Sequence, residues 1–230
     1  MLVVSNIALT TRLPLMRPSA FLKSKVKDFI LNLNNDYRYL KTAYYISMHA
    51  EILGNTVIPS SENIIAASRT PILLLKASKA GVPILPYLIT DSVKRIILEI
   101  GLPAMVFAVN PFSFEGFRIA KYESALYRAV KSLSMNYKFP VCAQPLRGEV
   151  VSVKSFFGKC ESAEKVKEVA KKVYEVFKLP LCKLHVQLIN GEAYLCGLQP
   201  LKKEEITVSD LRLISEEASR IPNLGDQIVG

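Results

Sequence analysis

Leu184-His185-Val186-Gln187-Leu188-Ile189-Asn190-Gly191-Glu192-Ala193-Tyr194-Leu195-Cys196-Gly197-Leu198-Gln199-Pro200 is where the chain shows its architecture. Asn190-Gly191 is the dipeptide that accepts the left-handed backbone of a two-residue hairpin turn. Apolar runs flank it at 184–188 and 193–200, so the stretch reads as two antiparallel strands with Glu192 solvated beside the turn. His185, alone on an apolar strand, reads as a hydrogen-bonded core residue rather than a metal ligand.

Upstream of the hairpin, Lys165, Lys167, Lys171, Lys172 and Lys178 alternate with Glu161, Glu164, Glu168 and Glu175. Opposite charges three and four positions apart meet on one face of a helix, which makes this a self-paired, solvated surface. Nearer the start, residues 2–9 form a strand candidate. Residues 18–33 carry Phe21, Leu22, Val26, Phe29, Ile30 and Leu33 at helical spacing, up to the break at Asn34-Asn35-Asp36. A second helical period covers 37–53, with Gly54 placed for a left-handed C-terminal cap. A strand at 56–58 follows, and Ser60 or Ser61 caps the next helix. Strand, helix, helix, strand is the order of a small α/β layer. A Leu/Lys helix at 72–79 then ends at Gly81, and residues 81–86 lead into another strand.

With 50% hydrophobic and 22% charged residues in 230 positions, the chain has the means to bury a core. Its longest apolar run, 96–109, contains Glu99, Gly101 and Pro103 and is shorter than the roughly 20 residues a membrane-spanning helix needs. The first 18 residues do not have the charged end, apolar stretch and cleavage site of a secretory leader. A cytoplasmic protein is expected. Cys142, Cys160, Cys182 and Cys196 lie far apart without a C-x-x-C pair, and His49 and His185 are the only histidines; zinc-ligand spacing is absent and no disulfide is expected. The formal charge of +10 suits an anionic partner, yet lysines and arginines run along the whole chain, and neither nucleic acid nor membrane is expected as a partner. Motifs for a phosphate-binding loop, a nucleophile elbow, a zinc protease and a dinucleotide fold are all missing.

From Asn55 to Pro200 the order of turns, strands and helices resembles an ATP-grasp protein. Ser60-Ser61-Glu62-Asn63-Ile64 resembles the helix entry of the RimK-like branch, whose members join a carboxylate to an amine through an acyl phosphate. Gly81-Val82-Pro83-Ile84-Leu85-Pro86, a capped helix at 91–100, Gly101-Leu102-Pro103, a strand at 104–109, Pro111, a loop with Gly116 and a helix from Glu123 resemble the front half of that domain. Val141-Cys142-Ala143-Gln144 resembles its hinge strand before the adenine, 150–157 the hairpin after it, 163–177 the long helix, and the opening hairpin the two strands that carry metal ligands. The resemblance implies an α/β (α+β) fold: a reduced N-terminal Rossmann-like layer at 1–75, a small lobe with its lid at 76–142, and a C-terminal lobe at 143–230.

The resemblance also implies a magnesium site, formed by an Asp twelve positions before a Glu-x-Asn triplet that precedes proline. In this chain those positions hold His185, Gly197 and Gln199, with Pro200 following. Magnesium takes oxygen ligands, usually with one or two carboxylates, and here both carboxylates are missing. The Asp-Lys pair expected at the start of the helix before Gly81 falls near Arg69 and Thr70. The lysine before the strand-end proline falls on Asn110. The glycine-rich lid becomes Phe112-Ser113-Phe114-Glu115-Gly116-Phe117, whose three rings read as filling the cleft.

Candidate nucleotide-cleft residues are Arg69, Asn110, Gly116, Arg118, Gln144, Glu149 and Lys154, with an ordinary strand or loop role as the alternative for each. The expected function is that of a catalytically degenerate ATP-grasp-like protein. It requires no cofactor or metal, retains at most weak nucleotide affinity, and serves as a binding or structural partner of another protein or of itself as a dimer. The alternative is a divergent carboxylate-amine ligase that uses ATP and magnesium, with Arg69 and Arg118 as cations. A basic nucleic-acid binder on the same scaffold is the second alternative.

Overall fold

Strands β1 (Leu2–Ser5) and β3 (Ile30–Leu33) are buried at every position, the pattern of strands covered on both faces. The structure, a computed structural model, describes residues 1–109 and 116–221. In it β1 and β3 lie side by side in a parallel sheet of order β2-β1-β3-β4, with β2 (Leu15–Met16) and β4 (Val57–Ile58) at the edges.

This corrects the helix read over 18–33. Only α1 (Pro18–Phe21) is helical, and Ile30–Leu33 is the inner strand β3. A short apolar run suits a buried strand as well as a helix face, and here pairing with β1 and β4 settles it. Asn34, the first residue of the break read at 34–36, and Asn32 are buried polar groups: Asn32 Nδ2 donates to the Ala43 carbonyl and the Ser47 hydroxyl, and Asn34 Nδ2 donates to Asn32 Oδ1. The helix read from 37 begins later, as α2 (Thr42–Ile52). Tyr37 is held out of it by hydrogen bonds to the Asn32 carbonyl and from the Asn34 N–H, and Leu40 has a left-handed φ of 63°.

Helices α3 (Ser61–Ser68) and α4 (Thr70–Lys79) are separated by one extended residue, Arg69. Pro71 explains the break, since its ring would clash with the carbonyl four residues back and it has no N–H to donate. Ser60 caps α3 by accepting from the Asn63 N–H.

The second sheet is antiparallel, in the order β5-β8-β6-β7: β5 (Leu88–Thr90), β6 (Ala104–Ala108), β7 (Phe117–Ala120) and β8 (Val141–Pro145). Helices α5 (Val93–Glu99) and α6 (Glu123–Leu133) cover it through Val93, Ile96, Leu126 and Val130. The boundary drawn from the sequence at 142/143 falls inside β8, which pairs only within this sheet among the described residues.

The third sheet, β11-β10-β9, is an antiparallel meander of β9 (Glu149–Phe156), β10 (Leu181–Ile189) and β11 (Glu192–Gln199), backed by α7 (Glu164–Phe177). The hairpin read at 150–157 is a single strand, β9, paired with β10 over its whole length. The turn at Asn190-Gly191 is present, with left-handed φ values of 49° and 83°. Helix α8 (Val208–Arg220), capped by Thr207 and Asp210, closes the described chain. The largest core joins the parallel sheet, α3 and α4 to the third sheet and α7. Cys142, Cys182 and Cys196 are buried free thiols, and among the described residues no helix is long and apolar enough to cross a membrane.

Candidate functional site

The three sheets meet around one face of the meander. Strand register aligns two rows across it: Ser152, His185 and Gly197, and beside them Lys154, Lys183 and Gln199. The twelve-residue spacing of the sequence thus becomes direct opposition across the β10–β11 hairpin.

The first row is closed by aromatic rings. His185 is 4% exposed; its Nδ1 lies 2.7 Å from the Ser152 hydroxyl, and its Nε2 is buried without a partner in hydrogen-bond geometry among the described residues. Phe117 packs edge-on against the imidazole with centroids 5.1 Å apart, and Phe107 packs on Phe117 at 5.5 Å. A Cβ added at Gly197 would lie 3.1 Å from the Phe107 ring, so the glycine makes room for that ring. Burial holds the His185 pKa below its ordinary value, the Lys183 charge pushes it the same way, and Gln199 opposes them.

The neutral imidazole sets a pH dependence. Its folded-state pKa lies below the ~6.5 of an unfolded imidazole, so between the two values the unfolded chain binds more protons. Stability from this group is therefore complete above about pH 6.5 and is lost as pH falls toward the folded value. Denaturation midpoints measured from about pH 7.5 to 5 should decline for the native protein and decline less for His185→Asn. Equal declines would remove His185 as the source.

The second row opens on a cavity of about 440 Å³ between the loop after β3, the α3–α4 break and the ends of β10 and β11. Arg38, Arg69, Lys183 and Lys202 line it together with Asp36 and Gln199. Thr70, the first residue of α4, also lines it, which brings the positive end of the helix dipole to the cavity. Arg69 lies over the Tyr39 ring at 5.3 Å, and its Nε is buried without a hydrogen-bond partner among the described residues. Arg38 forks onto Asp36, with Nε 2.9 Å from Oδ1.

Two of the lysines are already neutralised from within. The segment after β11 brings Glu205 onto Lys183 and Asp210 to 2.5 Å from Lys154, whose ammonium also donates to the Glu205 carbonyl. The Lys183 hydrogen bond holds the Glu205 carboxyl below its usual range. Burial would raise that of Asp210, but Lys154 and Thr207 outweigh it and hold it low.

Of the residues singled out from sequence, Arg69, Gly116 and Gln199 border the cavity; a Cβ on Gly116 would overlap the Gln199 amide. Lys154 turns toward α8. Gln144 is fully buried, its Nε2 3.4 Å from the Leu85 carbonyl and its Oε1 unpaired. Arg118 lies in β7 opposite Val106, and Glu149 opens β9 with its side chain exposed. Asn110, Phe112, Phe114 and Glu115 lie outside the described residues.

Sequence reasoning missed Gln187, which joins two lobes. Its Oε1 accepts from the Arg147 and Gly148 N–H groups, and its Nε2 donates to the Pro145 carbonyl. An amide inside an apolar strand run was the available signal. Helix α8 was also missed, although Thr207 and Asp210 have capping-box spacing and Leu211, Ile214 and Ala218 follow at helical intervals.

Residues 16–217 match the sequence model of the RimK-like ATPgrasp N-terminal domain family, RLAN, and the chain belongs to that family. Its fold is that of ATP-grasp ligases. The D-alanine–D-alanine ligase from Bacillus anthracis superposes with a TM-score of 0.66 at 13% identity, covering 98% of this chain and 99% of the ligase. A RimK domain ATP-grasp protein from Sphaerobacter thermophilus superposes equally well, at 0.66 and 14% identity over 94% of this chain and 98% of its own. The ATP-grasp ligase PsnB, in complex with a minimal precursor, Mg and ADP, gives 0.59 at 13% identity over 94% and 98%. No curated protein matches the chain in sequence.

Magnesium tests this donor set. Of the three positions that the resemblance implies, Gln199 supplies an amide oxygen, His185 a buried ring nitrogen and Gly197 nothing. Among the described residues, no three His, Cys, Asp or Glu side chains are grouped to hold a metal. A hard cation that wants carboxylate oxygens does not fit here.

Proposed function

We propose that this protein is an ATP-grasp fold that has given up magnesium-dependent ligation and acts by binding, toward another protein or a second copy of itself. The observation that carries this is the Phe107–Phe117–His185 stack over Gly197. At the positions where the resemblance implies metal ligands, this stack supports the reading, since phosphoryl transfer needs metal and fixed positive charge rather than rings. The remaining cations border the cavity at the second row, where Lys183 is held by Glu205. On this reading, 1–75, 76–142 and 143–230 are the remnants of the N-terminal layer, the small lobe and the C-terminal lobe.

A second reading is favoured by the relatives: membership of a RimK-like ATP-grasp family and a fold shared with working ligases. In it the chain is a divergent carboxylate-amine ligase that holds ATP and magnesium through substrate phosphates, Gln199 and water, with Arg69 and Arg118 supplying charge.

Thermal melting with ATP or ADP, with and without magnesium, separates the two. A ligand present at 100 times its Kd adds about 2.7 kcal/mol. The binding reading expects no magnesium-dependent shift and no ADP release from ATP with carboxylic acids and amines. A shift of that size accompanied by ADP release would establish the ligase.

A further inference from the structure

The charge of this protein is partitioned. Residues 149–230 carry twelve basic and twelve acidic side chains, so the whole +10 excess lies in residues 1–148. Glu123 is the only acidic residue from 116 to 148, against six basic ones. The contrast extends to pairing. On α7, Lys165 meets Glu168 and Glu192, and Lys167 meets Glu164. Lys121, Arg128, Lys131 and Lys138, on and around α6, have no ion-pair partner among the described residues.

We propose that the outward face of α6 and the turn that follows it bind single-stranded nucleic acid. The helix buries Leu126, Ala129, Val130 and Leu133 against the central sheet, so Tyr127, Arg128 and Lys131 point outward, one turn apart. Beyond the helix, Met135, Asn136 and Tyr137 are three consecutive left-handed residues, with φ of 54°, 57° and 62°. Each costs an L-residue roughly 1–2 kcal/mol. The turn is held by Asn136 N–H to the Lys131 carbonyl and Tyr137 N–H to the Ser134 hydroxyl. It keeps Tyr137 45% exposed, near the 48% of Tyr127. Between helix and turn, Arg128, Lys131, Ser132, Met135 and Asn136 enclose a shallow hollow of about 320 Å³.

Cations beside exposed rings are what a flexible nucleic-acid strand requires. Phosphates are neutralised by Lys and Arg, and any base can stack on an aromatic face at about 1–3 kcal/mol each. A membrane suits the face less well, because the helix's aliphatic residues are spent in the core and the exposed Met135 of the turn offers little apolar surface to enter a bilayer.

The test is fluorescence anisotropy of the full chain with labelled oligo-U, oligo-dT and a duplex, each about 12 nucleotides, a length within single-strand site sizes. Single strands should bind more tightly than duplex, and the affinity should fall about 20- to 50-fold between roughly 50 and 200 mM salt, as for three to four phosphates at about −0.7 per phosphate. Arg128→Glu with Lys131→Glu should abolish binding. Tyr127→Ala with Tyr137→Ala should weaken it about 10-fold or more while keeping the salt slope. All four positions are exposed, and melting curves confirm that the variants fold. A 2′-hydroxyl preference, or its absence, would distinguish RNA from DNA within the same site. No binding at low salt, full binding by the charge-reversed variant, or anionic vesicles bound equally well by the tyrosine variant would each overturn the proposal.

Discussion

Gln187→Leu is expected to cost about 3 kcal/mol of stability, because it removes the side chain that pairs three backbone groups. Gln187 is fully buried in the middle of β10. Its amide bonds to Arg147 N–H at 2.8 Å, Gly148 N–H at 3.3 Å and the Pro145 carbonyl at 2.9 Å. These groups belong to the link between β8 and β9, so one side chain fastens the central sheet to the meander. Leucine matches the size but pairs with none of them, and an unsatisfied buried polar group costs about 1–3 kcal/mol, part of it recovered by relaxation. For a chain of this size the melting temperature should fall by about 6–12 °C. The link has no slack to absorb the loss: a Cβ on Gly148 would lie 2.1 Å from the Leu188 carbonyl oxygen. A loss below about 1 kcal/mol in denaturant titration would mean that water can replace the amide.

Rebuilding the family's metal ligands should damage the protein more than help it. In the triple variant His185→Asp, Gly197→Glu and Gln199→Asn, the new glutamate meets the Phe107 ring at its first carbon, and the new aspartate lies under Phe117 in place of a buried ring. Overpacking costs about 1–3 kcal/mol, and burying an unpaired carboxylate adds several more or drives its protonation. A total loss of about 4 kcal/mol or more is expected, with no recovery in millimolar magnesium and ATP. Gly197→Ala isolates the steric part and should cost about 1–2 kcal/mol without affecting metal response. If magnesium and ATP together restored the triple variant by about 2.7 kcal/mol or more, the cleft would still have the geometry of a working ligase, and the binding reading would fail.

The electrostatics of the cleft follow from its closing segment. Glu205 and Asp210 arrive from beyond the last strand and neutralise Lys183 and Lys154, so these two lysines, opposite each other across β9 and β10, serve α8 and the segment before it. The other cations at the cavity, Arg38 in its pair with Asp36, Arg69 and Lys202, come from the N-terminal layer, the helix break and the exit of β11. Only assembly of all three parts brings them together.

The amino-acid sequence by itself determined the elements whose signals are local. Asn190-Gly191 sets the hairpin through two left-handed residues, Pro71 separates α3 from α4, Ser60 and Ser92 cap their helices, and alternating Glu and Lys pair along α7. In each case the deciding interactions lie within a few residues. The order of those elements was enough to recognise the fold. Tertiary structure alone decided the rest, because the deciding partners are remote in the chain. Ile30–Leu33 is a strand because β1 and β4 complete its hydrogen bonds. Gly197 is closed because Phe107 comes from another sheet. Lys154 is bound because Asp210, 56 residues away, folds back onto it. An apolar run, a glycine or a lysine is compatible with several surroundings, and only packing chooses among them.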